Sequence, residues 1–282
     1  MKTVGILIPV ANEEKTIKEF TNCLLSQCDL MEQYDVTVHY IMDSYSKDNT
    51  QSILENEFGD NVQVLFHEKS TGLVSAYLHG YKHCVQSEFD YIVEMDSGFS
   101  HKPEHLPEFL KHLDEGYDAV FGSRFMKGSV YETTLFRKFV SKMGTILCNT
   151  MLGTDYKDAT SGYQAYKRDT LVDFDFDKFI STGGMFQTEI KFYVYDRRTD
   201  EIEDEISKLP LYFKNAARSF FSSKVWKDRP YYKFKLKEIP IEFIMSDSSF
   251  KSSWVWDSIK ILNRLYENKQ LVFKKGVKNG ND

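Results

Sequence analysis

The sequence predicts an α/β fold built on a mainly parallel sheet with helices on both faces. Short apolar runs alternate with stretches of helical length through the first half of the chain. The 282 residues, 41% of them hydrophobic, are enough to bury a substantial core in one large domain. The apolar runs stay far short of the roughly 20 residues that span a bilayer, so we predict no transmembrane segment.

Each predicted strand is a short apolar run with turn-forming residues on either side. The run at 91–95 is typical, because Tyr91, Ile92 and Val93 are aromatic or β-branched. Parallel neighbours of this kind need a crossover between them, which explains why each run is followed by a helical stretch. In order, the strands are predicted at 4–10, 36–42, 62–66, 91–95 and 119–122.

The predicted helices occupy the stretches between these strands. The first is amphipathic, and the last begins at Pro103, a residue that is tolerated in the first turn of a helix. This alternation is typical of a nucleotide-binding sheet. In order, the helices are predicted at 13–25, 49–58, 73–84 and 103–113.

A carboxylate follows the strand at 91–95 directly. Asp96 opens the segment Asp96-Ser97-Gly98-Phe99-Ser100-His101, which places it on the loop at the carboxyl end of the strand. Parallel α/β sheets bind ligands at this edge, and a carboxylate there can hold a divalent metal ion or a sugar-nucleotide. Alternatively, Asp96 only caps the turn that follows.

Nine short segments, taken in order, resemble the family 2 glycosyltransferases, and most closely their dolichol-phosphate (polyprenyl-phosphate) mannosyltransferase branch. Each is weak alone, but their order over about 240 residues is specific. The resemblance implies the GT-A fold and an inverting transfer from a UDP- or GDP-sugar. The segments are 6–14, 43–50, 69–73, 95–98, 122–125, 137–142, 160–166, 186–189 and 238–241.

The resemblance implies a donor site on several strand-end loops. A carboxylate such as Asp43 accepts hydrogen bonds from the N–H groups of uracil or guanine. The family's adjacent acidic pair reads Asp43-Ser44 here, and Tyr45 replaces a small residue, so we expect an altered base or ribose pocket. Glu13 can instead complement a helix dipole. The predicted donor-binding residues are Pro9, Ala11, Glu13, Asp43, Lys69, Gly72, Asp96 and Ser97.

The family's metal motif normally supplies two carboxylates, but Asp96-Ser97-Gly98 supplies one. We expect a weakly bound divalent cation, Mg²⁺ or Mn²⁺, held by Asp96, water and the donor diphosphate. Arg124 is expected to share the neutralisation of the diphosphate, because a guanidinium matches phosphate oxygens. The alternative for Arg124 is an ion pair that stabilises a loop.

Two carboxylates are candidates for a general base. A hydroxyl acceptor needs such a base, whereas an ionised phosphate is already a nucleophile. Asp158 precedes the segment 159–166, and Glu189 lies on a helix predicted to begin near Met185. The structural alternatives are a backbone-bonded turn for Asp158 and a half-buried ion pair for Glu189.

The stretch from Lys208 to Lys237 carries nine Lys or Arg residues against the single acid Asp228, interleaved with aromatic residues. Cations that meet phosphates and rings that stack on bases suit a nucleic acid, so we narrowly favour DNA with a hydroxylated base as the acceptor. A membrane surface and a solvated basic hairpin are the alternatives. The acceptor-binding residues predicted in this stretch are Lys224, Trp226, Lys227 and Arg229.

The family resemblance favours a polyprenyl phosphate acceptor instead. Arg137, Lys138 and Lys142 occupy the positions at which that branch contacts the acceptor phosphate, and Lys251 stands in a segment that lacks the branch's arginine and glycine. A third alternative, of another class, is a catalytically impaired module that binds a sugar-nucleotide.

The chain is predicted to divide into a catalytic core at 1–195, a basic and aromatic insertion at 196–237, and a final strand with a helical extension at 238–282. Its amino terminus is expected to enter a strand without a preceding secretory signal. The spacing of Cys23, Cys28, Cys84 and Cys148 fits no zinc or redox site, which suggests reduced thiols and a cytoplasmic location.

Overall fold

The computed structural model describes residues 1–66, 72–196, 234–244 and 253–272. They form a seven-stranded sheet in the order β3-β2-β1-β4-β7-β5-β8 and a two-stranded sheet of β6 and β9. The strands are β1 (Lys2–Val10), β2 (Tyr34–Met42), β3 (Val62–Phe66), β4 (Tyr91–Glu94), β5 (Ala119–Ser123), β6 (Val130–Glu132), β7 (Gln164–Lys167), β8 (Leu236–Pro240) and β9 (Glu242–Ile244).

Strands β1 to β4 pair in parallel, and β8 pairs in parallel with β5. Strand β7 runs antiparallel to both of its neighbours, β4 and β5. As a result, the carboxyl ends of β1, β2, β4 and β5 meet the amino end of β7 at one edge of the sheet. The predicted α/β architecture with a mainly parallel sheet is confirmed.

The helices lie between and beyond these strands, and the first four follow the predicted pattern. The helices are α1 (Ile17–Asp29), α2 (Thr50–Phe58), α3 (Leu73–Gln86), α4 (Leu106–Asp114), α5 (Leu135–Leu152), α6 (Arg168–Leu171), α7 (Phe186–Asp196) and α8 (Ser253–Val272).

Two predicted boundaries shift for local reasons. Helix α1 begins at Ile17 rather than at residue 13, because the Glu13 carbonyl accepts the amides of Thr16 and Ile17 in a turn, after a left-handed Asn12 (φ 58°). Helix α4 is preceded by a 3₁₀ turn at Pro103–His105. Both changes lengthen the loops at the carboxyl edge of the sheet.

Apolar side chains from alternate positions of the strands form a core on each face of the sheet. On one face, Ile6 and Ile8 pack with residues of α1, α2 and α4. On the other face, Leu7 and Ile92 pack with residues of α3, α5, α7 and α8. Within the described parts of the chain, no helix has the length and apolar character that a membrane crossing requires.

Candidate active site

The Asp96 carboxylate lies at the carboxyl edge of the sheet, one residue beyond Met95 and two beyond the end of β4. Its Oδ1 accepts a hydrogen bond from the hydroxyl of Tyr77 on α3, and its backbone N–H donates to His101 Nδ1 at 2.8 Å. Tyr77 is buried and stacks on Phe186. The Asp96 side chain itself is 39% exposed. The carboxylate is therefore held by a hydrogen bond from the protein and is still partly accessible to solvent.

The position of the missing second carboxylate is occupied by Gly98, whose backbone is left-handed (φ 72°). A Cβ built there would stand 3.2 Å from Glu13 Oε2, which accepts the Thr16 hydroxyl at 2.8 Å. Among the described residues, no group of three His, Cys, Asp or Glu side chains is arranged to hold a metal ion. Asp96 is the residue here that would supply a ligand oxygen to a divalent cation, and the diphosphate and water would supply the others.

The loop after β2 holds Asp43 beside the end of β1. Asp43 is buried, its amide donates to the Val10 carbonyl at 3.0 Å, and its Oδ1 accepts the Tyr45 amide at 3.1 Å. Asn12 fastens this loop, since its Oδ1 accepts the Lys47 amide and its Nδ2 donates to the Tyr45 carbonyl. The Tyr45 side chain is exposed to solvent.

The other predicted donor residues lie at the same edge where the structure describes them. Pro9 and Ser97 are buried, and Ala11 and Glu13 are half-buried. Gly72 caps the start of α3 with φ 117°, and a Cβ on it would meet the Tyr45 ring at 3.8 Å. Lys69 lies outside the described residues. Their roles in donor binding stay predictions.

Arg124, which follows β5, forms a buried, bidentate ion pair with Asp158. Its Nε donates to Oδ2 at 2.7 Å, its Nη2 to Oδ1 at 2.8 Å, and its backbone amide to Oδ2 at 3.0 Å. Nη2 also reaches the Thr160 hydroxyl at 2.7 Å. Burial alone would raise the pKa of Asp158, but the charge and hydrogen bonds of Arg124 outweigh it and lower the pKa to about 2.

Three hydrogen bonds from β8 and α7 hold the loop that carries Asp158. Glu238 on β8 accepts the amides of Lys157 and Asp158, each at 2.9 Å. The fully buried Lys191 on α7 donates from Nζ to the Asp158 carbonyl at 2.9 Å, and burial lowers the pKa of Lys191 to about 8. These contacts fix the Arg124 guanidinium at the edge of the sheet.

Glu189 is buried and fully engaged by protein donors. It accepts the amides of Ile180 and Ser181 at 3.0 and 2.8 Å, and the Tyr193 hydroxyl at 2.8 Å. Burial raises the pKa of Glu189. The structure thus gives Asp158 and Glu189 separate structural partners, and the general-base role of either one stays a prediction.

Three buried polar side chains near Asp96 were not identified from the sequence. Tyr77 and His101 contact Asp96, and burial lowers the pKa of His101. Glu94, on β4, accepts the Tyr81 hydroxyl at 2.5 Å, and burial raises the pKa of Glu94 to about 8. The five-residue spacing from Asp96 to His101 was the only available sequence signal, whereas the tyrosines are brought in by the packing of α3.

Helix α5 presents a face of large apolar side chains to solvent, which we call the α5 apolar face. Its opposite side is buried through Thr145, Cys148 and Leu152. The exposed positions recur at helical spacing along one side. The α5 apolar face consists of Leu135 (84% exposed), Phe136 (63%), Phe139 (63%), Met143 (46%), Ile146 (47%) and Leu147 (37%).

Two of the predicted acceptor-site cations of α5 contact aromatic rings that Arg124 also contacts. Lys142 Nζ stands 4.8 Å from the centre of the Phe125 ring, and Lys138 Nζ stands 6.0 Å from that of Tyr131. The Arg124 guanidinium lies 5.0 Å from the Tyr131 ring. Arg137 lies in the first turn of the same helix. The predicted residues Lys224, Trp226, Lys227, Arg229 and Lys251 lie outside the described residues.

Sequence comparisons with known proteins agree on one protein family. Residues 5–174 match the protein family described as Glycosyl transferase family 2. An undecaprenyl-phosphate mannosyltransferase of Micrococcus luteus is 32% identical over 210 residues, which cover 73% of this chain and 82% of the relative. A polyprenol monophosphomannose synthase of Mycolicibacterium smegmatis is 28% identical over 207 residues, or 72% of this chain and 76% of the relative.

The fold also has solved counterparts. A glucosyl-3-phosphoglycerate synthase of Mycobacterium tuberculosis, crystallised with Mn²⁺, UDP and glucosyl-3-phosphoglycerate, superimposes with a TM-score of 0.57. The superposition covers 98% of this chain and 82% of that chain, at 15% identity. At this identity the likeness shows the fold, which is GT-A.

Proposed function

Because the chain belongs to glycosyl transferase family 2, we propose that it transfers a sugar from a UDP- or GDP-sugar to a polyprenyl phosphate. One relative is named an undecaprenyl-phosphate mannosyltransferase, and another a polyprenol monophosphomannose synthase. The observation that carries the proposal is the α5 apolar face, which lies on the same helix as two cations that contact aromatic rings also contacted by Arg124.

The α5 apolar face suits the surface of a bilayer. Phe136 and Phe139 are exposed, while Arg137, Lys138 and Lys142 on the same helix can meet lipid phosphates. A helix of this type lies in the headgroup region with its apolar side inserted. Such a position brings the phosphate of a membrane-embedded polyprenyl chain to the Arg124 edge of the sheet.

The contacts of the two candidate bases support a phosphate acceptor. Asp158 is held by Arg124, and Glu189 is held by two backbone amides and a tyrosine. An ionised phosphate oxygen attacks the anomeric carbon without losing a proton, so it needs no base. Both carboxylates can then keep their structural contacts throughout the transfer.

On the donor side, the proposal assigns Asp43 to accept hydrogen bonds from the base and Asp96 to face the diphosphate. A bound Mg²⁺ or Mn²⁺ would neutralise charge on the leaving nucleoside diphosphate, and Asp96 is the residue that would hold it. The weak binding predicted for this cation rests on the single carboxylate. Arg124 stands at the same edge of the sheet, with its charge paired to Asp158.

The DNA acceptor favoured from the sequence is less well supported than the lipid. It rests on the stretch from Lys208 to Lys237, of which the structure describes only the end from Phe234. The names of the relatives point to polyprenyl acceptors. An impaired binding module is also disfavoured, because Asp43, Asp96 and Arg124 all lie at one edge of the sheet. The cytoplasmic location and the domain boundaries stay predictions.

Binding to vesicles of anionic phospholipid tests the role of the α5 apolar face. Each buried phenylalanine ring contributes about 1.5–3 kcal/mol, so replacing Phe136 and Phe139 with Glu should weaken binding at least about tenfold. Flotation of the protein with vesicles measures the change. Leu30→Glu is the matched control, because Leu30 is 75% exposed at the end of α1. Equal flotation of the double variant and the control would contradict the proposal.

A further inference from the structure

The His101 ring carries a buried N–H donor, and the carboxylate oxygen beside it stands beyond hydrogen-bond distance. Its side chain is fully buried, and Nδ1 accepts the Asp96 amide at 2.8 Å. An Nδ1 that accepts carries no hydrogen, so the ring is neutral and its hydrogen resides on Nε2. Among the described residues Nε2 has no hydrogen-bond partner, and Asp96 Oδ2 stands 3.7 Å away.

The His101 ring cannot turn toward another acceptor. It stacks on Tyr163 with ring centres 4.9 Å apart, and it also packs against Phe243, whose ring centre lies 5.6 Å away. A buried donor left without an acceptor costs about 1–3 kcal/mol. Because Asp96 is partly exposed and its Oδ2 stands 3.7 Å from Nε2, Asp96 Oδ2 is the acceptor that can relieve this cost by a small displacement.

The second oxygen of Asp96 is already held. Oδ1 accepts the hydroxyl of Tyr77, which is fixed by burial and by stacking on Phe186. We propose that His101 is a positioning residue that donates from Nε2 to Asp96 Oδ2 when the donor and its cation bind, so that Asp96 is clamped between His101 and Tyr77. The proposal rests on the donor site of the proposed function.

The clamp would compensate for the missing second carboxylate. Two neutral donors leave the negative charge of Asp96 intact and fix the direction of its remaining lone pairs. A single ligand that is already oriented loses less freedom on binding than a mobile one. Since Nε2 bears the hydrogen, His101 cannot itself coordinate the cation.

Isothermal titration of Mn²⁺ with UDP, and with GDP in parallel, tests the clamp without any acceptor. In His101→Asn, the side-chain oxygen can still accept the Asp96 amide as Nδ1 does, but no donor reaches the Nε2 position. Loss of such a supporting group typically weakens metal binding by about 10- to 100-fold, and we expect a loss of this size. His101→Gln, which places an amide near the Nε2 position, should recover part of it.

The same substitution in an Asp96→Asn background separates positioning from packing. If His101 acts through Asp96, His101→Asn should cause no further loss of Mn²⁺ binding there. Thermal unfolding of each variant checks that it is folded. Wild-type affinity in His101→Asn, an equal loss in both backgrounds, or no Mn²⁺-dependent binding of either nucleotide to the wild type would overturn the proposal. Failure of lipid transfer alone would leave these results intact and count only against the acceptor.

Discussion

In the proposed donor site, Asp96 is the residue on which turnover is expected to depend most. Its carboxylate is anchored by Tyr77 and open to the ligand side, and the position of a second acid is taken by Gly98. Asp96→Asn keeps the shape and removes the charge, so we expect turnover to fall by at least about a hundredfold, the scale of losing one charge-stabilising group. Asp29→Asn, on the exposed end of α1, is the control. Near wild-type turnover in Asp96→Asn would remove Asp96 from the mechanism.

Stability and turnover should respond differently when the buried carboxylates Asp158 and Glu189 are replaced. Asp158→Asn leaves Arg124 buried without its partner, which typically costs about 3–5 kcal/mol of stability. Glu189→Gln leaves a backbone donor poorly satisfied, at a cost of about 1–3 kcal/mol. With a phosphate acceptor, turnover of the folded Glu189→Gln variant should stay within a few-fold of wild type. Denaturant unfolding and transfer rates on the same samples provide the comparison.

Replacing a residue that acts as the general base would lower the transfer rate itself. Loss of the true base slows transfer to a hydroxyl by about 10² to 10⁴ while donor binding stays nearly unchanged. If either variant is folded, binds the donor normally and loses activity on this scale, the phosphate-acceptor argument fails.

Single residues were predictable from sequence where the chemistry is local. Asp43, Asp96 and Arg124 follow apolar strands directly, and each lies at the strand end as expected. Tyr77 and His101 were missed because their contacts with Asp96 depend on how α3 and the loop before α4 pack, which residue types alone do not encode. The Arg124–Asp158 ion pair joins residues 34 positions apart, yet it matches the alternative considered for Arg124.

At the scale of elements, α5 illustrates a general limit of sequence patterns. An apolar stripe at helical spacing has the same signature whether it faces the core or a lipid surface. Only the packing distinguishes the buried side of Cys148 from the exposed side of Phe139. The cations Arg137, Lys138 and Lys142 were identified from the sequence, but the apolar face beside them was not.

His39, buried on β2 beside α3, makes the free energy of unfolding depend on pH. Burial, together with the nearby His83, lowers the pKa of His39 from its ordinary 6.5 to about 4. The unfolded chain therefore binds a proton at a pH where the folded chain does not, so stability falls as the pH drops from about 6.5 to 4. At 1.36 kcal/mol per pKa unit, this group contributes on the order of 3 kcal/mol across the interval.

His39→Phe should remove this component of acid destabilisation. We expect the gap in unfolding free energy between pH 7 and pH 4.5 to be smaller in the variant than in wild type, because phenylalanine does not titrate. Denaturant melts at both pH values measure the gap, and His112→Phe, on α4, is the control. An unchanged gap in His39→Phe would show that His39 is not the group responsible.

At the scale of the whole molecule, the alternation of strands and helices made the first half of the fold predictable. Strand β7 was not predicted, since its four residues lie among loops and it inserts antiparallel between β4 and β5. Strand β8 joins the sheet from more than 100 residues beyond its partner β5. Such pairings depend on distant parts of the chain and leave little trace in local patterns.

The identity of the acceptor is also a property of the whole molecule, because composition and family resemblance favoured different partners. The measurement that tests it most directly offers labelled UDP- and GDP-sugars to the protein with polyprenyl phosphate in vesicles, and separately with DNA that carries hydroxymethylated bases. We predict label in the lipid fraction, with transfer that resists added salt because the apolar tail and the α5 apolar face hold the complex. Label in DNA instead would contradict the proposed function. In that case the logarithm of the DNA-binding constant should fall against the logarithm of the salt concentration with a slope of about 0.9 per phosphate contact.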